Sequence, residues 1–470
     1  MMHQQALANT PPMSGESSGV TTLTFTRSNA AQDRLHDLVP GGAHTFAKGA
    51  DQYPEGMAPV LVRGEGARVW DLDGNQFVEY GMGMRAVTLG HGYRPVVDAV
   101  RSTLLDGVSF SRPTSLELDA AEDFLSLVPG ADMVKFAKNA SDATAAAVRL
   151  ARAATGRDLV AYCSDQPYFG SQDWFVGTLP LNAGVPEAVR SMGRPFGYND
   201  LDGLRTVLDA DRGRVACVIM EAATSMHEPA PGYLEGVRRL CDEHGTVLIF
   251  DETITGFRWS AHGAQGVYGV TPDLSTWGKA IGNGFPISAL AGRRELMELG
   301  GLRTDRERVF LLSSTNGAET ASLAALRAVV RAYAETDPIG TMERRGAELA
   351  AGVNRAAANA GIGEFLTVEG RPSCLVFRTM DGDGRPSQEM RTLFLQELLT
   401  RGVLGQSFVI SAAHSTEDVE QTVAAAEAAM PAYRKALETG KPSDLVAGAP
   451  VAPSHRRFAA PRRLPDRPAS

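Results

Sequence analysis

Between Met133 and Glu252, short apolar runs alternate with segments of helical period, and few folds accommodate that alternation. MVKFA (133–137) is followed by a helix-period segment from Ser141 to Ala154. LVAYC (159–163) and VACVIME (215–221) read as strands, Tyr233 to His244 as a helix, and VLIFDE (247–252) as a strand. Runs such as VACVIM have no polar face, so both sides must be covered, as in parallel sheets flanked by helices. Right-handed βαβ crossovers and an α/β fold follow. Upstream, ARVWDLDGNQFVEY (68–80) reads as a hairpin turning at Asp73-Gly74.

From Ala318 onward helical patterns dominate (318–335, 338–359, 387–400, 417–438), with short strands at LTVEG and CLVFRT. The expected organisation is a large domain over 91–335 and a smaller α+β domain over 336–440, to which 28–90 contributes an N-terminal segment. Residues 1–27 and 441–470, rich in Ser, Thr, Pro, Ala or Arg, read as flexible tails.

The chain of 470 residues carries a net charge of −9, which offers no general attraction to nucleic acid or anionic lipid. Its four cysteines form no CxxC pair and no zinc-type cluster, and read as core residues of a reducing compartment. No signal-peptide pattern and no run of about 18 apolar residues is present, so a cytoplasmic protein without a metal site is expected.

In open α/β sheets, ligands bind beyond the carboxyl ends of the strands. Three strand ends here carry suitable groups. After MVKFA the chain passes through Asn139-Ala140-Ser141 into a helix, where Ser141 can act as cap and free N–H groups can hold an anion; an ordinary capped helix accounts for the same residues. Asp251 ends an apolar run, where a carboxylate must pair with a structural cation or a ligand cation. Lys279 follows the strand pattern DLSTW and precedes the Gly282–Gly284–Pro286 turn, a dry setting that makes a lysine nucleophilic toward carbonyls. A surface lysine in a loop is the alternative. Together the three groups suit a ligand with an anionic end, a cationic ring nitrogen and a carbonyl.

Several longer segments now become informative: VPGG (39–42), VWDLDGNQFVEY (69–80), LGHGYRPV (89–96), GYLEGVRRLCDEHGTVLIFDETITGFR (232–258) and DLSTWGKAIGNGFPISALAGR (273–293). With them the chain, from about Val39 to Met430, resembles the class III (subgroup II) aminotransferases that use pyridoxal 5'-phosphate (PLP), in particular the glutamate-1-semialdehyde 2,1-aminomutase-like branch. The resemblance implies the PLP-dependent transferase fold type I, with a mostly parallel seven-stranded sheet. It implies that Lys279 holds PLP as a Schiff base and shuttles a proton, and that Asp251 pairs with the pyridinium nitrogen. It further implies that Ala140 and Ser141 bind the phosphate, that Tyr168 and Thr253 cover the two ring faces, and that Glu221 orients the site. Thr315 is implied to reach the cofactor of a neighbouring subunit, hence a homodimer with composite active sites.

Departures from the family concern the substrate. Where the aminomutases have N-S-P-V-R, this chain has His44-Thr45-Phe46-Ala47-Lys48, and lysine does not replace a bidentate arginine. Asn139-Ala140-Ser141-Asp142 and Ala318-Glu319-Thr320 also differ from the family pattern. The variant resembles members tied to amino-sugar, aminoglycoside and surface-polysaccharide pathways. The expected reaction is transfer of an amino group, from glutamate or another donor, to a carbonyl of a sugar-like or other specialised-metabolite substrate. The alternative is a PLP-dependent isomerase, an aminomutase or epimerase. Asp142, Glu319, Thr320, His44 and Thr45 are candidate substrate contacts or, equally, caps and loop residues. Arg258 reads as a substrate contact or a structural ion pair, and Arg371 as a donor-carboxylate contact.

Overall fold

The computed structural model describes residues 23–166 and 169–459. Its centre is a seven-stranded sheet in the order Met133–Ala137, Ser288–Gly292, Leu274–Trp277, Val247–Asp251, Val215–Met220, Leu159–Cys163, Gly193–Phe196. Neighbours run parallel except at Ser288–Gly292, which is antiparallel to both strands beside it. The runs without a polar face are the central strands, and every residue of Val215–Met220 and Val247–Asp251 is buried. Side chains alternate between the two faces. Val218, Met220, Leu248 and Phe250 join one apolar cluster, whereas Cys217, Ile219, Val247 and Ile249 join another beneath the helix Ala140–Thr155.

A second core gathers Leu349, Phe377, Phe394, Phe408 and Tyr433 from the helices Pro338–Asn359, Gln388–Leu399 and Thr416–Thr439 and a three-stranded antiparallel sheet. Val78 and Tyr80 belong to this core. They lie in and just after the second strand of the expected hairpin, Arg68–Asp71 against Gln76–Glu79, whose turn glycine Gly74 has φ 88°. Val403–Leu404 pairs in parallel with Gln76–Glu79, tying the N-terminal segment to the C-terminal part. No helix among the described residues is long and apolar enough to cross a membrane.

Both tail readings change where the chain is described. Phe25 stacks on Phe77 at 6.4 Å, and the helix Thr26–Leu38 starts before residue 28. Residues 441–459 pack on the second core: the Val451 N–H donates to Thr392 Oγ1 at 2.9 Å, and the Ala449 N–H to Glu55 Oε2 at 2.6 Å. Gln396 donates to the Leu445 carbonyl and accepts from the Ala447 N–H. Composition misses this because two apolar anchors, Leu445 and Val451, and side-chain acceptors for the backbone are enough to order a short Pro- and Ala-rich stretch. Residues 1–22 and 460–470 of the expected tails lie outside the described residues.

Candidate active site

The strand ends converge as their positions in the sheet require. Asp251 closes its strand, and its Oδ1 accepts from the Thr253 N–H at 2.9 Å and from Thr276 Oγ1 at 3.1 Å. Burial pushes its pKa up, opposed by the bonds from Thr253 and by the Lys279 charge. Glu252, the other acid of the run, turns away. It is buried and accepts the Ala264 and Gln265 N–H groups at 2.8 and 2.7 Å, which caps the helix Gly263–Tyr268.

Lys279 follows the neighbouring strand directly and takes a left-handed φ of 48°. It is partly buried, and burial lowers its pKa while the charge of Asp251 works in the opposite direction. Glu221 follows the strand Val215–Met220 and is held by its backbone: its N–H donates to Gln166 Oε1 at 2.7 Å and its carbonyl accepts from Gln166 Nε2 at 2.8 Å. Burial, then the charge of Asp251, pushes the Glu221 carboxyl up to about 8.

The helix start lies close by. A Cβ at Gly278 would come within 3.3 Å of Ala140 Cβ and 3.4 Å of Thr253 Cγ2, so the backbone entering Lys279 passes between these two residues. Ser288 Oγ donates to the Asn139 carbonyl at 2.7 Å and secures the same corner. Asn139, not Ser141, is the cap, since its Oδ1 accepts from the Asp142 N–H at 3.0 Å. Ser141 sits one turn position inside, and its Oγ accepts from the Ser171 N–H at 3.1 Å. The N–H groups of Ala140 and Ser141 keep no acceptor among the described residues, at the positive end of a 16-residue helix. These free donors, the small-residue cradle at Gly278, the buried Asp251 and Lys279 just after the neighbouring strand fit PLP: an anion at the helix start, a ring between, a cationic nitrogen at the carboxylate.

Of the other candidates, Thr253 is buried beside Gly278, and Thr315 is exposed on its loop. Tyr168 lies outside the described residues. Glu319 caps the helix Thr320–Glu335 and binds Lys138 Nζ at 2.5 Å, while Thr320 Oγ1 donates to the Gly107 carbonyl at 2.8 Å. Asp142 accepts from Asn139 Nδ2 at 2.7 Å. His44, Thr45 and Lys48 are exposed. Arg258 makes no ion pair with a described carboxylate; fully buried, it donates to the carbonyls of Ser373, Ile410 and Arg85 at 2.9, 2.7 and 3.2 Å. Arg371 pairs with Glu343 at 3.0 Å and Glu228 at 3.7 Å, lining a separate cavity of about 330 Å³.

Sequence reasoning passed over four residues. Gln166 clamps the Glu221 backbone. Asn283, in the GNG turn, accepts from the Thr88 and Leu89 N–H groups at 3.0 and 2.9 Å and joins the Lys279 turn to the 88–90 loop. Arg85 and Cys374 lie beside the site, with Arg85 Nε donating to Cys374 Sγ at 3.4 Å. Cys374 is buried as a core cysteine is expected to be, and its thiol is held below its usual pKa by Arg85 and Arg258 against the effect of burial. The other three cysteines are buried with raised values.

The class III aminotransferase family pattern matches residues 50–410. Glutamate-1-semialdehyde 2,1-aminomutase of Roseiflexus castenholzii is 36% identical over 445 residues, covering 88% of this chain and 99% of its own length. The protein of the same name from Syntrophobacter fumaroxidans is 33% identical over 427 residues, covering 86% and 97%. Among solved structures, the PLP internal aldimine form of FumI from Sphingopyxis sp. MTA144 matches with a TM-score of 0.81 at 27% identity, over 88% of this chain and 98% of that one. A glutamate-1-semialdehyde aminomutase from Pseudomonas aeruginosa PAO1 matches at TM-score 0.75 and 24% identity, over 86% and 94%, a likeness of fold. Similarity of this extent, with strand ends built as described, means that the chain belongs to the class III aminotransferases, PLP-dependent enzymes of fold type I.

Proposed function

We propose that the protein moves an amino group within a small substrate, in the manner of a glutamate-1-semialdehyde 2,1-aminomutase. The observation that carries this reading is full-length similarity to aminomutases at 33–36% identity, on a site that keeps Lys279, Asp251 and Glu221 together. When bound, PLP supplies a ring that accepts the electron pair left as a proton departs from the amino-bearing carbon.

In this reading the chain's own groups divide the work. Lys279 Nζ, its pKa lowered by burial, is nucleophilic toward the cofactor aldehyde and afterwards moves the proton to and from the reacting carbon. Asp251 holds a proton on the ring nitrogen, and Glu221 orients that corner through its Gln166 clamp. The Ala140 and Ser141 N–H groups would take the phosphate and Thr253 would lie against one ring face; Tyr168, expected on the other, lies outside the described residues. Thr315, exposed here, meets the neighbouring copy's phosphate in a homodimer.

A second reading is favoured by the exposed His44–Lys48 segment, which replaces the aminomutase arginine loop. It is intermolecular transfer from an amino donor, glutamate first, to a carbonyl of a sugar-like or other specialised-metabolite substrate. Turnover of glutamate 1-semialdehyde without any added amino donor or 2-oxo acid supports the first reading. Strict dependence on a donor and a separate carbonyl acceptor overturns it in favour of the second.

A further inference from the structure

The backbone from Met82 to Arg85 is left-handed at four consecutive residues, with φ of 41°, 58°, 59° and 73°. Only Gly83 takes this conformation without steric cost, so three side chains are held where L-residues rarely go. The surroundings enforce it. Glu79 Oε2 accepts the Met82 N–H at 2.7 Å, and the Arg85 N–H donates to the Gly81 carbonyl at 3.0 Å. Val87 N–H reaches the Met82 carbonyl at 3.0 Å, and Arg258 Nη2 grips the Arg85 carbonyl at 3.2 Å. Strain maintained by several independent bonds is characteristic of functional sites.

What the turn achieves is the placement of Arg85. Its Nε donates to Cys374 Sγ at 3.4 Å, and the same sulfur accepts from Ser225 Oγ at 3.1 Å, so the acceptor of Arg85 is itself held in place. The turn that carries it packs directly against Lys279–Gly282, so Arg85 stands beside the lysine end of the site. Yet among the described residues Arg85 makes no ion pair with a carboxylate, and Nε is its one hydrogen-bonding side-chain atom. The other arginines and lysines around the site are taken: Arg258 by carbonyls, Arg371 by Glu343 and Lys138 by Glu319.

We propose that Arg85 is the carboxylate receptor of this active site, its two free Nη groups gripping a substrate carboxylate at two points while the amino group faces Lys279. This assignment rests on the amino-group reading above and names the substrate class, a carboxylate-bearing amine or carbonyl compound. It also supplies the arginine absent from the His44–Lys48 segment.

The test uses the PLP-loaded protein and glutarate, a dicarboxylate with no amine to react, with its diamide as the uncharged control. Calorimetry should show glutarate binding to the wild type and weakening on the order of 100-fold in Arg85→Gln. Arg85→Lys should recover part of the loss, because it restores the charge without the fork. The diamide should bind weakly and equally to all three proteins. Equal glutarate affinity in wild type and both variants overturns the assignment. Failure of the wild type to take up PLP, read by absorbance, contradicts instead the amino-group reading, so the two failures are distinguishable.

Discussion

Replacing Arg258 by methionine removes three hydrogen bonds to carbonyls, and a longer one to Met342 Sδ at 3.8 Å, from a side chain with no exposed surface. The cost depends on what each carbonyl keeps. The Ser373 carbonyl still accepts the Ile410 N–H at 3.2 Å, whereas those of Ile410 and Arg85 lose their donor among the described residues. Two buried carbonyls left unpaired cost roughly 1–3 kcal/mol each. Against this, a guanidinium without a counter-ion no longer has to be desolvated, which returns part of the loss. The net expectation is a destabilisation of about 2–4 kcal/mol, a large share of the roughly 5–15 kcal/mol typical of a folded protein. Lysine at this position should be no better. It puts the same charge in the same dry place but cannot span three acceptors. Urea unfolding followed by tryptophan fluorescence, with Trp259 adjacent, compares the three proteins. A lysine variant as stable as wild type would refute the carbonyl-fork account of Arg258.

Three further perturbations probe the site. Glu221 is raised to about 8 from an unfolded value near 4.5, so the folded state holds a proton that the unfolded state releases between those values. Stability of the PLP-stripped protein should therefore fall as pH rises from about 5 to about 8, and Glu221→Gln should flatten that slope. Glu252, raised to about 7, contributes with the same sign in both proteins; identical pH slopes would contradict the Glu221 assignment. Gly278→Ala places a methyl against Ala140 and Thr253; we expect PLP affinity to drop about tenfold with about 1–3 kcal/mol lost in folding, and unchanged affinity would argue against a cofactor cradle there. Met84→Gly relieves a left-handed φ of 59° and should leave stability unchanged or raise it by up to about 1 kcal/mol; a clear loss by urea titration would show that the turn is not strained.

Much of this molecule is legible in its sequence, for physical reasons. Strands buried on both faces are continuously apolar, and amphipathic helices carry their period openly. Tyr233–His244 and Pro338–Asn359 accordingly fall where the pattern places them. Asp251 and Lys279 stand out because a charge at the end of a dry strand needs an explanation. The interior of the site is less legible. Nothing in the residues Met82 to Arg85 announces four left-handed φ values, because the local bonds from Glu79 and Gly81 are completed by Arg258, which only the fold brings to the Arg85 carbonyl. The same holds for Arg258, whose partners are backbone carbonyls and thus carry no residue type to read. Asn139 and Ser141 are both good caps, and only the local dihedral angles decide between them. Glu319 and Thr320 read by chemistry as substrate contacts or, equally, as caps and loop residues; in the fold Glu319 caps a long helix and Thr320 Oγ1 donates to the Gly107 carbonyl.

The central claim is that Lys279 is the residue that binds the cofactor. Loading the protein with PLP, reducing with borohydride and locating the pyridoxyl label by peptide mass spectrometry tests it directly. The account predicts a single label on Lys279 and none after Lys279→Ala. A label on another lysine, or an unlabelled wild type, would contradict it.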